Sequence, residues 1–399
     1  MLPFDQLVFP RKALGTALVL SSCGINLFLF LLVTCLPTSG QTRATGSDHG
    51  PDIATYPTSA HQVDDLFFLD PKHGWIMVTD HILNQDHLFR TVDGGVTWKN
   101  TVLPLRVGRL FFLNAATGWA LQYSFTAGEP AILTYHLLGT KDGGKNWRQI
   151  SSRPFLSGSS DNTPVLVDFA FSDEKHGWVV GGAPYNVGWV LQTSTGGKSF
   201  EKLAQISAFF QACFGVVASV REVWIYGEGG FLHSQDSGKT WSPISLGEFT
   251  GNRELVTFRS GVLARDGSGW LAGNLTQAIV IGTKNFGQDW QVRLRSDNPR
   301  QFDLISSWDW DHACAAAAPL LFCTADGGAT WNKRATWPET EHDRANLLER
   351  LVILPSGKGW AVRGGGYLYQ TDDGGQSWYE TDPMKQLADS RGAAGLRAD

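Results

Sequence analysis

Seven short segments of the chain each place an acidic residue, or a substitute for one, beside hydroxyl groups and glycine. The consensus is Thr/Ser-x-Asp-x-Gly-x-Thr/Ser-Trp, and the spacings between successive copies are 49, 53, 41, 49, 41 and 47 residues. Repeated carboxylates could bind calcium, and two that face each other across a cleft could hydrolyse a glycoside. A regular spacing of this length also indicates an internal structural repeat. The copies start at Thr91, Thr140, Thr193, Ser234, Thr283, Thr324 and Thr371.

The pattern within each copy favours a structural function for the carboxylate over calcium binding. It lacks the alternating oxygen ligands of a helix-loop-helix calcium loop. An Asp that accepts hydrogen bonds from its own turn explains the pattern, at about 1 kcal/mol per bond. We therefore expect no metal and no cofactor. Residues expected to have a structural function are Asp93, Asp142, Asp236, Asp326, Asp373, Trp98, Trp147, Trp241, Trp331 and Trp378.

Two copies depart from the consensus. In the third copy, Thr195 replaces the Asp and Phe200 replaces the Trp. In the fifth copy, Asn285 replaces the Asp and Asp289 replaces the second Thr or Ser. All seven copies remain identifiable.

Each copy predicts a β-hairpin, because Asp-Gly and Gly-Gly between two apolar runs favour tight turns. A second recurring element, Gly-Trp, precedes most copies by one strand, and a further apolar run precedes that element. Each unit therefore predicts four short strands. The Gly-Trp pairs begin at Gly74, Gly118, Gly177, Gly269 and Gly359; Val223-Trp224 takes this place in the fourth unit, and the sixth reads His312-Ala313-Cys314.

Four antiparallel strands repeated seven times predict an all-β fold, a seven-bladed β-propeller of four-stranded antiparallel blades over residues 61–383. An array of β-sandwiches is the alternative, but the regular period and the absence of linkers disfavour it. Every unit has four strands of its own, so no strand is left to join the last blade to the first. Residues Ile53–Tyr56 could add to the seventh blade.

Residues 1–40 predict a signal or membrane-anchor segment containing a hydrophobic helix. Ala13–Leu36 is dominated by apolar residues and follows Arg11-Lys12, so it could span a bilayer with its amino end in the cytoplasm. Three interpretations stay open: an uncleaved anchor, a signal peptide cleaved near Thr38-Ser39-Gly40, and a lipoprotein processed at Cys23. All three place the propeller outside the cytoplasm, membrane-anchored or secreted. Residues 41–60 predict a polar tether and residues 384–399 a flexible tail.

The net charge of −5, with 18% charged residues, disfavours a nucleic-acid partner. Five cysteines are present, and none forms a C-x-x-C motif that would indicate zinc. Cys314 and Cys323 could face each other across one hairpin, and an exported location permits a disulfide. We expect instead two small buried apolar side chains.

The eight-residue repeat is identified as the Asp-box, or bacterial neuraminidase repeat. Together with the Gly-Trp pairs and the export segment, it resembles the photosystem II stability and assembly factor family over roughly residues 61–383. The resemblance implies a non-catalytic scaffold that binds a membrane-protein complex or its assembly intermediate, in a periplasm or lumen-like compartment. The N-terminal segment would be its contact with the membrane.

A sialidase-like or other carbohydrate-active glycoside hydrolase is the alternative, because such enzymes also contain Asp-boxes. The Phe-Arg-Ile-Pro signature of sialidases is absent; the nearest segments are Phe89-Arg90-Thr91 and Phe258-Arg259-Ser260. The acidic residues that could line a central channel show no spacing that marks a catalytic pair. We therefore expect no enzymatic activity. These acidic residues are Asp168, Asp303 and Asp309.

Arginines recur in or beside the predicted connections between blades, on the face opposite the Asp-box turns. The resemblance implies that such an Arg-rich surface binds the partner, and arginine suits protein interfaces. Acidic residues such as Asp297 and Glu339 share these connections, so an ordinary solvated rim is the alternative and is favoured by the mixed charge. The candidate partner-binding residues are Arg106, Arg109, Arg153, Arg253, Arg300 and Arg350.

Overall fold

The computed structural model describes residues 60–103, 107–126, 132–150, 154, 156–159, 165–182, 188–203, 206, 212–219, 222–244, 257–264, 266–274, 277–296, 302–317, 319–334, 337 and 348–384. The predicted anchor helix, the predicted pairing of Ile53–Tyr56 and the tail from residue 385 lie outside the described residues. Within these ranges, no helix has both the length and the apolar character needed to cross a bilayer.

The first three sheets along the chain have four or five strands each. The first has the strand order β1-β2-β3-β4, and the second has the order β5-β6-β7-β8 with β9 added beside β7. The third has the order β10-β11-β12-β13. Their strands are β1 His61–Phe68, β2 Gly74–Asp80, β3 Gln85–Thr91, β4 Lys99–Leu103, β5 Val107–Phe112, β6 Gly118–Thr126, β7 Ile132–Thr140, β8 Arg148–Gln149, β9 Leu156–Ser159, β10 Val165–Phe171, β11 Gly177–Gly182, β12 Trp189–Thr193 and β13 Glu201–Lys202.

The next sheet has eight strands and joins two four-stranded runs, β14–β17 and β18–β21, through the single pair Glu228 and Thr257. Two further four-stranded sheets follow, β22–β25 and β26–β29. The strands are β14 Ala212–Ala218, β15 Val223–Glu228, β16 Gly230–Ser234, β17 Ser242–Pro243, β18 Thr257–Leu263, β19 Gly269–Asn274, β20 Ala278–Thr283, β21 Gln291–Ser296, β22 Leu304–Ser307, β23 Ala313–Ala317, β24 Leu320–Thr324, β25 Asn332–Lys333, β26 Leu348–Ile353, β27 Gly359–Arg363, β28 Tyr367–Thr371 and β29 Tyr379–Thr381.

The first strands of successive four-stranded runs surround a common axis. They contact one another in the order β1, β5, β10, β14, β18, β22 and β26, and β26 returns to contact β1. This arrangement confirms the predicted all-β propeller with four-stranded antiparallel blades. Each Asp-box joins the third strand of a run to the fourth, so the boxes share one end of the propeller, the box face. The chain passes from one run to the next at the opposite end, the connector face.

The ring closes through contacts between β1 and the last sheet. Val63 N donates a hydrogen bond to Gly366 O at 2.9 Å, and the Phe68 ring stacks on Trp360 with centroids 5.1 Å apart. His61 Nδ1 lies 2.9 Å from Asp382 Oδ1, so the two ends of the described chain meet. The sheets β1–β4 and β26–β29 exchange no strand within the described residues. Side-chain packing and a few hydrogen bonds therefore hold this boundary.

The two recurring tryptophans of the sequence pair across neighbouring blades. The box Trp of one blade meets the strand Trp of the preceding blade edge to face, as in Trp98 with Trp360 at 5.8 Å and Trp331 with Trp270 at 6.0 Å. Such aromatic pairs contribute about 0.5–1.5 kcal/mol beyond their area burial. The tryptophan repeat thus builds the interfaces between blades as well as each hairpin. Two further pairs follow this arrangement, Trp241 with Trp178 and Trp290 with Trp224.

Cys314 and Cys323 form a disulfide, so the expectation of two separate buried thiols is wrong. The residues lie directly opposite each other on β23 and β24, with Cα atoms 4.1 Å apart. Residues directly opposite each other on antiparallel strands are close enough for a disulfide, and the sequence spacing alone does not define that register. Cys314 takes the place of the strand Trp in its sheet, because its neighbour Ala313 pairs with Thr324 as Gly74 pairs with Thr91.

Candidate functional site

Each complete Asp-box is a closed set of hydrogen bonds within one turn. In the first copy, Asp93 Oδ1 accepts bonds from Thr91 Oγ1 at 2.7 Å and from Thr97 N at 2.9 Å, and Asp93 Oδ2 accepts one from Thr97 Oγ1 at 2.6 Å. Asp142, Asp236, Asp326 and Asp373 accept the equivalent bonds, with Asn146 Nδ2 as the side-chain donor to Asp142. The carboxylates thus lie in five separate turns and do not converge.

The side-chain hydroxyl of the first residue in every box accepts a hydrogen bond from a backbone N–H of the turn. Thr91 Oγ1 accepts a hydrogen bond from Gly95 N at 2.8 Å. Gly95 has a φ of +77°, and a Cβ there would lie 2.3 Å from the Trp360 ring, so only glycine fits. The same hydroxyl-to-glycine bond is present in the other six copies.

The two degenerate boxes keep the turn with different chemistry. In the third copy, Thr195 Oγ1 accepts the hydrogen bond of Ser199 N at 3.0 Å, without a carboxylate. In the fifth, Asn285 Oδ1 accepts the bond of Asp289 N at 3.0 Å, and Asn285 Nδ2 donates to Asp289 Oδ2 at 2.8 Å. The carboxylate has moved from the third position of the box to the seventh.

These hydrogen bonds lower the pKa of the box carboxyls. Bonds from the hydroxyl and the backbone N–H of Ser377 lower the pKa of Asp373 to about 2, and those of Thr330 do the same for Asp326. At Asp142, burial opposes the shift, but the bonds from Asn146 still lower the pKa to about 2. The box carboxyls are therefore ionised at neutral pH and suited to neither general-acid nor general-base catalysis.

A second group of charged side chains lies around the axis, where the first strands meet. A β-bulge interrupts the pairing of β1 between Val63 and Asp65, and bulges occur at the equivalent point of β5, β10, β14, β18 and β26. A bulge re-aims the side chains beside it. The residues directly after these bulges are Asp65, Arg109, Asp168, Gly215, Ser260 and Arg350.

Asp65 is the centre of this axial cluster. Its Oδ1 lies 2.7 Å from Arg350 Nε on the last sheet and 3.4 Å from Arg109 Nη1 on the second. Its Oδ2 accepts a hydrogen bond from Leu110 N at 2.7 Å. Burial raises the pKa of Asp65 and Arg109 opposes this shift. The two neighbouring guanidinium groups favour the ionised form, so Asp65 is a carboxylate that joins three blades.

Asp168 repeats the Asp65 arrangement two blades further on. Its Oδ2 accepts a hydrogen bond from Val216 N on the next first strand at 3.3 Å, as Asp65 accepts one from Leu110 N. Ser260 Oγ accepts the equivalent bond from Ile305 N at 3.1 Å. These residues link the first strands of neighbouring blades, so the axis is held by polar contacts.

Burial raises the pKa of several axial carboxyls. It raises the pKa of Asp64 to about 7, against the hydrogen bond from Thr79 Oγ1, and the pKa of Glu349 to about 7, against the charge of Arg109. It raises the pKa of Asp168 to about 6, again against Arg109. Basic and acidic residues alternate at the bulge position, from Arg350 through Asp65 and Arg109 to Asp168. Gly215 and Ser260 place uncharged residues at the bulge position of the following two blades.

The predicted arginine face divides into two parts. Arg109 and Arg350 lie on first strands and bind Asp65, so they do not lie in the connections between blades. The other four, Arg106, Arg153, Arg253 and Arg300, lie outside the described residues. Of the predicted channel carboxylates, Asp168 lies in the axial cluster. Asp309 lies in the turn after β22, where it accepts a hydrogen bond from His312 N at 2.8 Å.

Sequence reasoning missed the axial cluster as a unit, although a signal was present. Asp65, Arg109, Asp168, Ser260 and Arg350 each precede the Gly that opens the Gly-Trp strand by nine residues. A fixed offset between a polar residue and a repeated motif marks one structural position. Among the described residues, no cluster of three or more His, Cys, Asp or Glu has the arrangement needed to hold a metal ion.

The fold and these contacts define the class of protein: a β-propeller built on Asp-boxes, with the blades joined by tryptophan pairs and axial ion pairs. The chain belongs to the photosynthesis system II assembly factor YCF48 family, whose sequence profile matches residues 52–164 and 160–259, more than half of the chain. The predicted family resemblance is thereby confirmed.

Individual relatives extend the similarity over most of the chain. A photosystem II assembly lipoprotein Ycf48 from Synechococcus sp. (strain CC9902) is 23% identical over 325 residues, covering 78% of this chain and 87% of the relative. A photosystem II assembly protein Ycf48 from Thermosynechococcus vestitus is 27% identical over 293 residues, covering 72% and 76%. A solved structure of YCF48 bound to D1 peptide is 21% identical, with a TM-score of 0.48, and covers 82% of this chain and 98% of that one.

Proposed function

We propose that this protein is a non-catalytic scaffold that assists the assembly of photosystem II outside the cytoplasm. The match of the YCF48 family profile over residues 52–164 and 160–259 is the observation that carries this proposal. We further propose that its client is a segment of the D1 subunit, the peptide with which a related YCF48 protein was solved. The client would be recognised as a peptide chain, without chemical change.

The chemistry of the charged residues supports a scaffold over a glycosidase. A glycosidase needs two free carboxyl groups facing a cleft. The oxygens of Asp93 and its equivalents already accept hydrogen bonds in separate turns. The guanidinium groups of Arg109 and Arg350 contact Asp65 and are therefore engaged within the protein. The box carboxylates and these two arginines are thus already occupied by contacts within the protein.

The complete architecture we propose is a ring of seven blades on an N-terminal membrane anchor. The eight-stranded sheet supports the count, because its two four-stranded runs each contain one Asp-box and share only the pair Glu228 and Thr257. The apolar run Ala13–Leu36 would hold the chain at the membrane, and residues 41–60 would connect it to the propeller. The Synechococcus relative is named a lipoprotein, which supports a membrane-anchored, extracytoplasmic location.

For the arginines we propose two different functions. Arg109 and Arg350 join blades through Asp65, because each guanidinium group contacts that carboxylate. Docking of the client is assigned to the remaining four, which the sequence places in the connections between blades. Planar, multivalent hydrogen bonding suits such side chains to a protein interface.

Binding of D1 peptides tests the function directly. Overlapping fluorescent peptides that cover the D1 sequence would be titrated against the full chain, and saturable binding of one segment, read by fluorescence polarisation, is expected. A variant with Arg106, Arg153, Arg253 and Arg300 replaced by Glu should lose most of this binding. The matched control replaces four exposed basic residues beside the boxes, namely Lys99, Arg148, Lys239 and Lys333, by Glu.

Two outcomes would contradict the proposal. If no D1 segment binds and the protein releases sugar from a glycan panel, the glycoside hydrolase alternative replaces the scaffold. If the box-side control loses binding as strongly as the connector-side variant, net charge accounts for the effect and the arginine assignment is wrong.

A further inference from the structure

The exposed aliphatic side chains of the described residues are concentrated on one blade. Five of the six large hydrophobic residues that are strongly exposed belong to the sheet β1–β4 or its turns. Two of them are adjacent, Ile82, which is 71% exposed, and Leu83, which is 60% exposed. They occupy the tip of the β2–β3 turn on the connector face. Singly exposed aliphatic residues are common, so the adjacent pair in this turn is what distinguishes the blade.

Hydrogen bonds hold the backbone of the tip in one conformation. Asp80 Oδ1 accepts hydrogen bonds from Ile82 N at 2.8 Å and from Leu83 N at 2.9 Å, and Asp80 itself is buried. Asn84 closes the turn with a φ of +52°, a conformation that Asn tolerates. The backbone is therefore fixed in a shape that turns two apolar side chains towards solvent.

The equivalent turns of two other blades show no such side chains. In the sheet containing β15 and β16 the turn is made at Gly229, and between β27 and β28 it consists of Gly364, Gly365 and Gly366. A minimal glycine turn is thus sufficient to join these strands. The longer, aliphatic tip of the first blade is an addition that the fold does not require.

The tip lies where the chain arrives from the N-terminal segment. His81 N donates a hydrogen bond to Ala60 O at 3.0 Å, and His81 Nε2 lies 3.1 Å from Gln62 Oε1. Residue 60 is thus fixed against the base of the tip. The 23 residues from 37 to 59 separate it from the apolar run. Fully extended, these 23 residues span up to about 75 Å. A chain anchored by that run keeps the tip within reach of the bilayer.

We propose that the Ile82–Leu83 tip inserts into the lipid interface. The connector face of the first blade would then face the membrane. The proposal rests on the membrane anchor of the proposed function. Two aliphatic side chains would bind a bilayer only weakly by themselves. The anchor raises their effective concentration at the surface, so weak insertion is enough to orient the propeller.

Photocrosslinking of the full chain tests this contact. Benzoylphenylalanine replaces Leu83 in one variant and Val96 in the other. Val96 is the matched control, because it is 65% exposed on the box face of the same blade. Each protein is reconstituted into vesicles of phosphatidylcholine and phosphatidylglycerol in equal parts, irradiated and analysed by mass spectrometry. We expect about tenfold more lipid adduct at position 83, since only that side chain would reach the acyl chains.

The outcomes separate the tip from the anchor. If the protein stays with the vesicles after alkaline washing but gives equal lipid adducts at the two positions, the anchor stands and tip insertion is wrong. If the adducts at position 83 form with protein and not with lipid, tip insertion is also wrong. If the protein washes off and gives no lipid adduct, both the anchor and the tip are wrong. Circular dichroism of the two variants shows whether the sheet content is retained.

Discussion

The pKa values of the Asp-box aspartates, which lie at the rim of the propeller, and of the aspartates near its axis are shifted in opposite directions. At the rim, donors within the same turn lower the pKa of Asp326 and Asp373 to about 2. At the axis, burial raises the pKa of Asp64 to about 7 and that of Asp168 to about 6. One residue type thus titrates in two widely separated ranges within one fold. The surroundings of each carboxyl decide the direction: hydrogen bonds to the charged form at the rim, loss of water at the axis.

The two regions also differ in how they are assembled. Every donor to Asp326 lies within four residues of it in sequence. Asp65, by contrast, binds Arg109 and Arg350, which are 44 and 285 residues away. The rim sites form with each hairpin, whereas the axial site exists only when the ring is closed. We therefore expect rim substitutions to have local effects and axial substitutions to affect the whole ring.

Asp65→Ala should have the largest effect. It removes the carboxylate between Arg109 and Arg350 and leaves both charges, together with Leu110 N, without this partner. Breaking a buried ion pair in this way costs about 3–5 kcal/mol. Urea denaturation of the purified protein would measure it. A loss below about 1 kcal/mol would show that the axial contact does not hold the ring.

Asp64→Asn should change how stability depends on pH. The pKa of Asp64 is higher in the folded chain, about 7, than its ordinary 3.8, so the folded state binds more protons between these values. Its contribution is then fully present at low pH and is lost as the pH rises from about 4 to 7. The variant should be more stable than the parent by about 1–2 kcal/mol at pH 8, a value reduced for the solvent that Asp64 still contacts.

The comparison for this variant is thermal melting at pH 4 and pH 8. The difference between the variant and the parent should be small at pH 4, which is close to the ordinary pKa of 3.8, because the carboxyl is protonated in the folded state and about half protonated in the unfolded state. An equal difference at both values would mean that the carboxyl does not titrate in this range and that burial does not set its pKa.

Asp142→Ala should cost less, about 1 kcal/mol, because it removes hydrogen bonds from a solvent-facing turn. The folded pKa is lowered to about 2, so the stability that the carboxylate supplies is present above its ordinary pKa of 3.8 and is lost as the pH falls through about 2. Melting curves between pH 2 and pH 7 would show a smaller loss of stability at low pH in the variant than in the parent, because Asp326, Asp373 and the other box carboxyls titrate in both. An effect as large as that of Asp65→Ala would contradict the distinction between rim and axis.

Thr195→Asp should have the smallest effect and the opposite sign. It restores the consensus carboxylate beside Thr193 and Ser199, whose hydroxyl groups already contact Thr195. A gain of about 0.5–1 kcal/mol follows from the stronger charge-assisted hydrogen bonds. Differential scanning calorimetry resolves a change of this size. No gain would indicate that the neutral turn is already as stable as the charged one.

The sequence was sufficient to predict the rim and insufficient to predict the axis. The box turns followed from Asp-Gly and Gly-Gly steps, whose hydrogen bonds are local. The contacts of Asp65 in the axial cluster depend on which blades become neighbours and on a β-bulge beside Val63. Neither can be predicted from the sequence of one strand. Arg109 and Arg350 were therefore predicted as surface residues, although their position nine residues before Gly-Trp relates them to Asp65 and Asp168.

The sixth repeat shows the same limit for packing. The sequence revealed that Cys314 stands where other blades have a tryptophan, but it did not reveal what fills the space. The structure places a disulfide there, and Trp337, buried to 2% exposure, packs on the box residue Trp378 with ring centroids 4.0 Å apart. Trp337 lies outside the repeat pattern, so no periodicity could assign it to this interface.

The closure between the first and last sheets has a consequence for how such a ring can evolve. Phe68 and Trp360 stack across that boundary as Phe112 stacks on Trp75 between the first two blades. The junction of the ends is therefore built like an internal one, and no single blade is obliged to be first. Gene rearrangements that move the start of the chain from one blade to another would keep the stacked aromatic contacts between blades.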